Sequence, residues 1–70
     1  MTLDQHRRGV ALAEAVEAAA VAYKDHQQSV RGCHDERTEG LCRRARHIVA
    51  DERHALAAEQ IAADFKPRVP

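Results

Sequence analysis

The residues of this chain best equipped for chemistry are its two cysteines and five histidines. Cys33 and Cys42 flank a polar stretch, and a turn between them can bring their Cα atoms within the roughly 4.4–6.8 Å that a disulfide spans. Closing so short a loop constrains the unfolded chain by about 3 kcal/mol at most. Two ordinary reduced thiols suit an intracellular protein just as well. With His26 and His34, the same cysteines make a set that zinc accepts, two thiolates and two imidazoles, but the spacing matches no recognised zinc pattern. The expectation is therefore no cofactor, with a Cys/His zinc module (His26, Cys33, His34, Cys42) as an alternative. His47, Asp51 and His54 fall i, i+4, i+7 on one helical face. That spacing can converge on a metal. It also arises by chance on exposed helices, and this flank, beside Ala58, Ile61 and Phe65, equally suits an interaction surface that responds to pH.

Glu52 and Glu59 are the most informative anomaly. Both project into the middle of an apolar stripe, where unpaired carboxylates are almost never buried. A paired-carboxylate acid/base site is one reading, but no nucleophile or glycine-rich loop accompanies it. Polarity that sets specificity in a helix bundle fits better. No catalytic residue is assigned, and the chain is expected not to be an enzyme. Arg43, Arg44, Arg46 and Arg53 form the nucleic-acid candidate, able to grip phosphates. Against it, Glu36, Glu39 and Asp64 share or border that face, no aromatic is interleaved for base stacking, and the formal net charge is zero. A helix-turn-helix does not fit helices this long.

These groups must be positioned by helices. Residues 3–30 contain no proline and are rich in alanine, the strongest helix former; Asp4 or Thr2 can cap the start. Leu12, Val16, Ala19, Tyr23, His26 and Val30 fall on one stripe with alternating spacings of four and three, the pattern of a coiled-coil seam. Gly9, Ala13 and Ala20 lie beside it. Leu3, Val10 and Val21 make a smaller second stripe. Gly32 can close the first helix in the left-handed conformation, and Asp35 or Thr38 can cap the second. Gly40 falls in the first turn of the second helix or marks its start. The second helix, about 39–65, has Leu41, Ala45, Ile48, Val49, Ala55, Leu56, Ala62 and Ala63 on one face, and Pro67 and Pro70 end it in a short tail, 67–70.

A short turn, about 31–38, forces the helices antiparallel. The expected fold is all-α, a single hairpin domain over 1–66, with Tyr23 near Val49, Val16 near Leu56, Val30 near Cys42, and the alanines at 19 and 20 near Glu52. Large apolar residues are few, and a chain of 70 residues buries only about 60% of its unfolded surface. Completion as a four-helix bundle by homodimerisation is expected. No apolar run is long enough to span a membrane and no secretory signal is evident, so a cytoplasmic location is expected. The excess of arginine over lysine, with the alanine content, suggests a GC-rich bacterial or phage genome.

By elimination, the sequence points to a small protein-binding accessory or regulatory protein, such as an inhibitor, antitoxin or phage-type modulator. Val10, Val21, Ile61 and Phe65 are its expected partner contacts. The nucleic-acid regulator is the first alternative.

Overall fold

The structure, a computed structural model, describes residues 2–65; the proline-containing tail lies outside them. It is a hairpin of two helices packed on each other, α1 over Leu3–Arg31 and α2 over Glu36–Asp64. Local chemistry sets each boundary. Thr2 caps α1 in a reciprocal pair: the Gln5 amide donates to Thr2 Oγ1 at 3.2 Å, and the Thr2 amide donates to Gln5 Oε1 at 2.8 Å. Gly32 ends α1 at φ 78°, and its amide donates to the Gln28 carbonyl at 2.9 Å. Asp35 starts α2, its Oδ1 accepting from the Thr38 amide at 2.8 Å. Gly40 lies inside α2.

The buried and half-buried residues of α1 are Leu3, His6, Gly9, Val10, Ala13, Glu17, Ala20, Lys24 and Gln27; those of α2 are Thr38, Glu39, Gly40, Cys42, Ala45, Val49, Glu52, Leu56 and Glu59. Without Gly9, Glu39 and Gly40, both lists alternate steps of three and four, the signature of a two-stranded coiled coil. The antiparallel register follows from contacts along the seam. Thr38 meets Gln27, Glu39 meets Lys24, Glu52 lies over Gly9, and Arg53 meets Glu14.

This seam differs from the one expected. The Leu12, Val16, Tyr23 and Val30 stripe of α1 is exposed, as are Leu41 and Ile48 of α2. Small and polar residues of α1 line the interface instead, Ala45, Val49 and Leu56 of the expected α2 face do enter it, and Leu3 and Val10 of the smaller stripe face inward. Tyr23, Val16 and Val30 therefore do not pack into the seam against Val49, Leu56 and Cys42. Both stripes of α1 have helical spacing, and the turn chooses between them. Only Gly32 to Asp35 separates the helices, and Asp35 is fixed as a cap, so the rotation of α2 about its axis is set at its first turn. That rotation brings Cys42, Ala45 and Val49 inward, and the small side chains let the backbones close.

The fully buried apolar set is Ala13, Ala20, Cys42, Ala45 and Val49, and Cys42 is its largest side chain below 2% exposure. A buried methylene contributes only about 0.8 kcal/mol, so this core supplies far less than a core of leucines. The glycines give a test. A Cβ at Gly40 would meet open space, and glycine costs a helix interior about 0.8–1.0 kcal/mol relative to alanine. Gly40→Ala is therefore expected to stabilise by about 1 kcal/mol. Gly32→Ala, at positive φ, is expected to destabilise by roughly 1–2 kcal/mol. Urea titrations at one fixed protein concentration check both signs.

Candidate interaction surface

A hydrogen-bonded network locks the turn end of the hairpin. The Thr38 hydroxyl lies 2.6 Å from Gln27 Oε1 and 2.9 Å from Asp35 Oδ1, with one proton to share between them. Gln27 Nε2 donates to the Tyr23 hydroxyl at 3.4 Å. Gln27 and Thr38 are both buried, and no buried side-chain polar atom among the described residues lacks a partner. Beside them, His34 bridges the helices, Nδ1 at 3.1 Å from Gln28 Nε2 and Nε2 at 2.6 Å from Glu39 Oε2. Lys24 Nζ lies 3.4 Å from the same Glu39 oxygen. The hydrogen bond from His34, then that from Lys24, hold the Glu39 carboxyl below its ordinary value. The Thr38 amide and hydroxyl do the same for Asp35, with a smaller contribution from Arg37.

The hairpin presents two unlike sides. Glu14 and Arg53 each follow a seam residue, Ala13 and Glu52, and meet across one side at 3.5 Å. Arg7, Arg46, Gln28 and Gln60 occupy equivalent positions there, so this side is polar. The opposite side carries residues that immediately precede seam positions. Val16 and Tyr23 do so on α1, with Val30 one heptad further along, and Leu41, Ile48 and Ala55 do so on α2. Leu12 and Ala19 flank them on α1, and Ala58 and Phe65 on α2. All are exposed: Leu12 at 58%, Ile48 at 48%, Val30 at 68% and Phe65 at 79%. A typical monomer's largest apolar patch is about 300–600 Å². Seven large side chains, each near half exposed or more, make a surface of at least that order.

The sequence-derived candidates distribute unevenly over these sides. Phe65 lies on the apolar side. Ile61 is exposed on the back of α2. Val21 is on the polar side and only just exposed, and Val10 is half-buried in the seam. Cys33 and Cys42 are free thiols, so the cross-link considered for them is not formed here: Cys33 is exposed at the turn, whereas Cys42 faces the seam. His26, Cys33, His34 and Cys42 are not brought together. Among the described residues no three histidine, cysteine or carboxylate side chains converge as a metal-binding group, the His47/Asp51/His54 face included. Glu52 and Glu59 do fall in the seam, half-buried. Glu52 leans over Gly9, whose missing side chain leaves room for its carboxylate. The four arginines divide. Arg43, Arg46 and Arg53 lie toward the polar side, with Arg53 paired to Glu14, and Arg44 lies toward the apolar side.

Sequence reasoning missed Gln27, Thr38, Lys24 and Glu17 as interface residues. Their three-and-four spacing with Ala13, Ala20 and Ala45 was the available signal. Among the described residues, no helix is long and apolar enough to cross a membrane. Comparison with protein-family models, with curated proteins and with solved structures finds no match to this chain.

Two tests follow from the turn network. Thr38→Val strips the buried Gln27 oxygen of its donor and is expected to cost about 1–3 kcal/mol, measured by urea titration. The Glu39 contacts stabilise the fold at pH above the ordinary carboxyl value of 4.5 and are lost as pH falls through its lower folded value. The drop in thermal midpoint between pH 6 and pH 3 is therefore expected to be smaller in Glu39→Gln than in the wild type.

Proposed function

We propose that this chain is a non-catalytic binding module, an accessory or regulatory protein that works by laying its apolar side against another helical surface. One observation carries the reading: the hairpin packs on its small residues and leaves its large ones together outside. A lone hairpin gains nothing from that arrangement, because exposed apolar surface costs solubility and contributes no core. A bundle gains its core from it. Val16, Tyr23, Leu41, Ile48 and Ala55 each precede a seam residue by one position, a rotation of about 100°. That is close to the right angle between the two neighbours of a helix in a square four-helix bundle, where each helix uses one stripe per neighbour. The hairpin thus has the shape of half such a bundle.

The polar side supports a second reading less well. Arg43, Arg46 and Arg53 offer phosphate contacts, but Glu14 already neutralises Arg53, and Glu36, Glu39 and Asp64 share the neighbourhood. A nucleic-acid regulator would need an uninterrupted basic stripe.

The test uses the full chain as bait in an extract of its source cells, with Leu12→Glu, Ile48→Glu and Phe65→Glu as face variants and Val21→Glu as the polar-side control. A discrete protein retained by the wild type and by Val21→Glu, and lost from all three face variants, is the expected result. Equal capture by every variant would contradict the assignment of this side. Retention on duplex DNA or RNA at low salt, reduced by Arg43→Ala and Arg46→Ala, would favour the second reading.

A further inference from the structure

The apolar side is not uniformly apolar, and its few charges are ordered. On α2, Arg44 and Asp51 stand on this side one heptad apart, with Ile48 between them. The basic charge lies toward the turn and the acidic charge away from it. The Glu52 carboxylate, turned over Gly9, adds to the acidic end. On α1 the same side has no carboxylate, lysine or arginine from Gly9 to Val30. A surface that pairs with itself about a two-fold axis must be complementary to its own reverse. This one is: reversed about the midpoint of His47 and Ile48, Arg44 falls on Asp51.

Resting on the reading of this side as a docking surface, we propose that its occupant is a second copy of the chain. The α2 helices of the two copies run antiparallel, with the two-fold axis passing beside Ile48. Arg44 of each copy then meets Asp51 of the other, twice by symmetry, at the rim of an apolar contact. The hairpin register makes an independent check. Gln27 stands opposite Thr38 and Gly9 opposite Glu52, so Ile48 is level with the stretch of α1 from Leu12 to Val16. The same axis therefore brings Leu12 and Val16 of the two copies together, at the charge-free centre of α1. The other two-fold packing of these faces, with the axis along the hairpin, would lay α2 on α1 of the other copy, where Arg44 and Asp51 would find no opposite charge. A stable interface covers about 800 Å² on each partner, and the half-exposed Leu12, Val16, Tyr23, Leu41 and Ile48 would supply its apolar centre. Zero net charge means that the two copies do not repel as wholes.

Sedimentation equilibrium on the full chain, under reducing conditions so that Cys33 forms no cross-link, tests the proposal. The wild type is expected at twice the 7.8 kDa chain mass. Ile48→Glu, at the axis and so present twice, is expected to give monomer. Arg44→Asp and Asp51→Arg alone should each weaken the dimer at least tenfold. Mixed in equal amounts, the two single variants should restore it as a heterodimer, because one then supplies two acids and the other two arginines. Both sites are exposed, and circular dichroism of each variant confirms that helicity is kept. Monomeric wild type at all concentrations would overturn the second-copy proposal. Capture of a different protein by the same face would then leave the docking reading standing. A dimer indifferent to Ile48→Glu would overturn both. A dimer lost with Ile48→Glu but not rescued by mixing the charge variants would overturn the antiparallel register.

Discussion

The hydroxyl of Thr38 joins three parts of the chain: it contacts the buried amide oxygen of Gln27 on α1 and the capping carboxylate of Asp35 at the head of α2. Both partners sit within a few residues of the turn, so this group fixes how α2 is rotated as well as where it begins. Everything further along the hairpin inherits that rotation. With Thr38 inward, helical periodicity puts Cys42, Ala45, Val49, Glu52 and Leu56 inward in turn, and Leu41 and Ile48 to the side. A rotation of one residue, about 100°, would exchange these sets. The energetic difference between the two settings is not decided by hydrophobicity alone, because larger side chains were available for the seam. Leaving the Gln27 amide buried without a donor costs about 1–3 kcal/mol, and three small seam residues allow a backbone approach that leucine and tyrosine would block.

A fully buried apolar core of alanine, cysteine and one valine closes two helices tightly and stabilises them little. The balance is tipped by capping at both ends, by the His34–Glu39–Lys24 cluster beside the turn, and by alanine's own preference for the helix. The exposed Arg53–Glu14 and Arg7–Asp4 pairs contribute marginally, as surface ion pairs generally do. The result is a hairpin whose large apolar groups remain in water. We read this as the reason for its function: the free energy that would normally sit inside a domain is available at a surface. In the proposed dimer, its few charges select what that surface accepts.

Much of this architecture was legible in the residues. Thr2, Gly32 and Asp35 mark the helix ends by their own chemistry, and the absence of proline between them implies two long helices. The oddity of Glu52 and Glu59 was also legible, and both do enter the seam. Which face of α1 packs was not legible. Leu12, Val16, Ala19, Tyr23, His26 and Val30 repeat at threes and fours, and so do Val10, Ala13, Glu17, Ala20, Lys24 and Gln27. Ranking stripes by side-chain size selects the first, whereas the structure uses the second. Size ranking assumes that the strongest stripe meets the nearest helix. It fails where the turn's hydrogen bonds set the facing sides. Of the partner contacts expected from the sequence, Val10 is half-buried in the seam, Val21 lies on the polar side, and Ile61 and Phe65 are exposed.

The two cysteines, which first suggested chemistry, report most directly on the packing. Cys42 sits in the small-residue seam and is 1% exposed, whereas Cys33 lies open at the turn. Thiol labelling of the reduced native protein separates the two settings of the helices. One thiol, assigned by mass spectrometry to Cys33, is expected to react fast, with Cys42 protected until the chain is unfolded. If both react at the same rate in the folded protein, the seam is not the one described, and the apolar side built upon it does not exist.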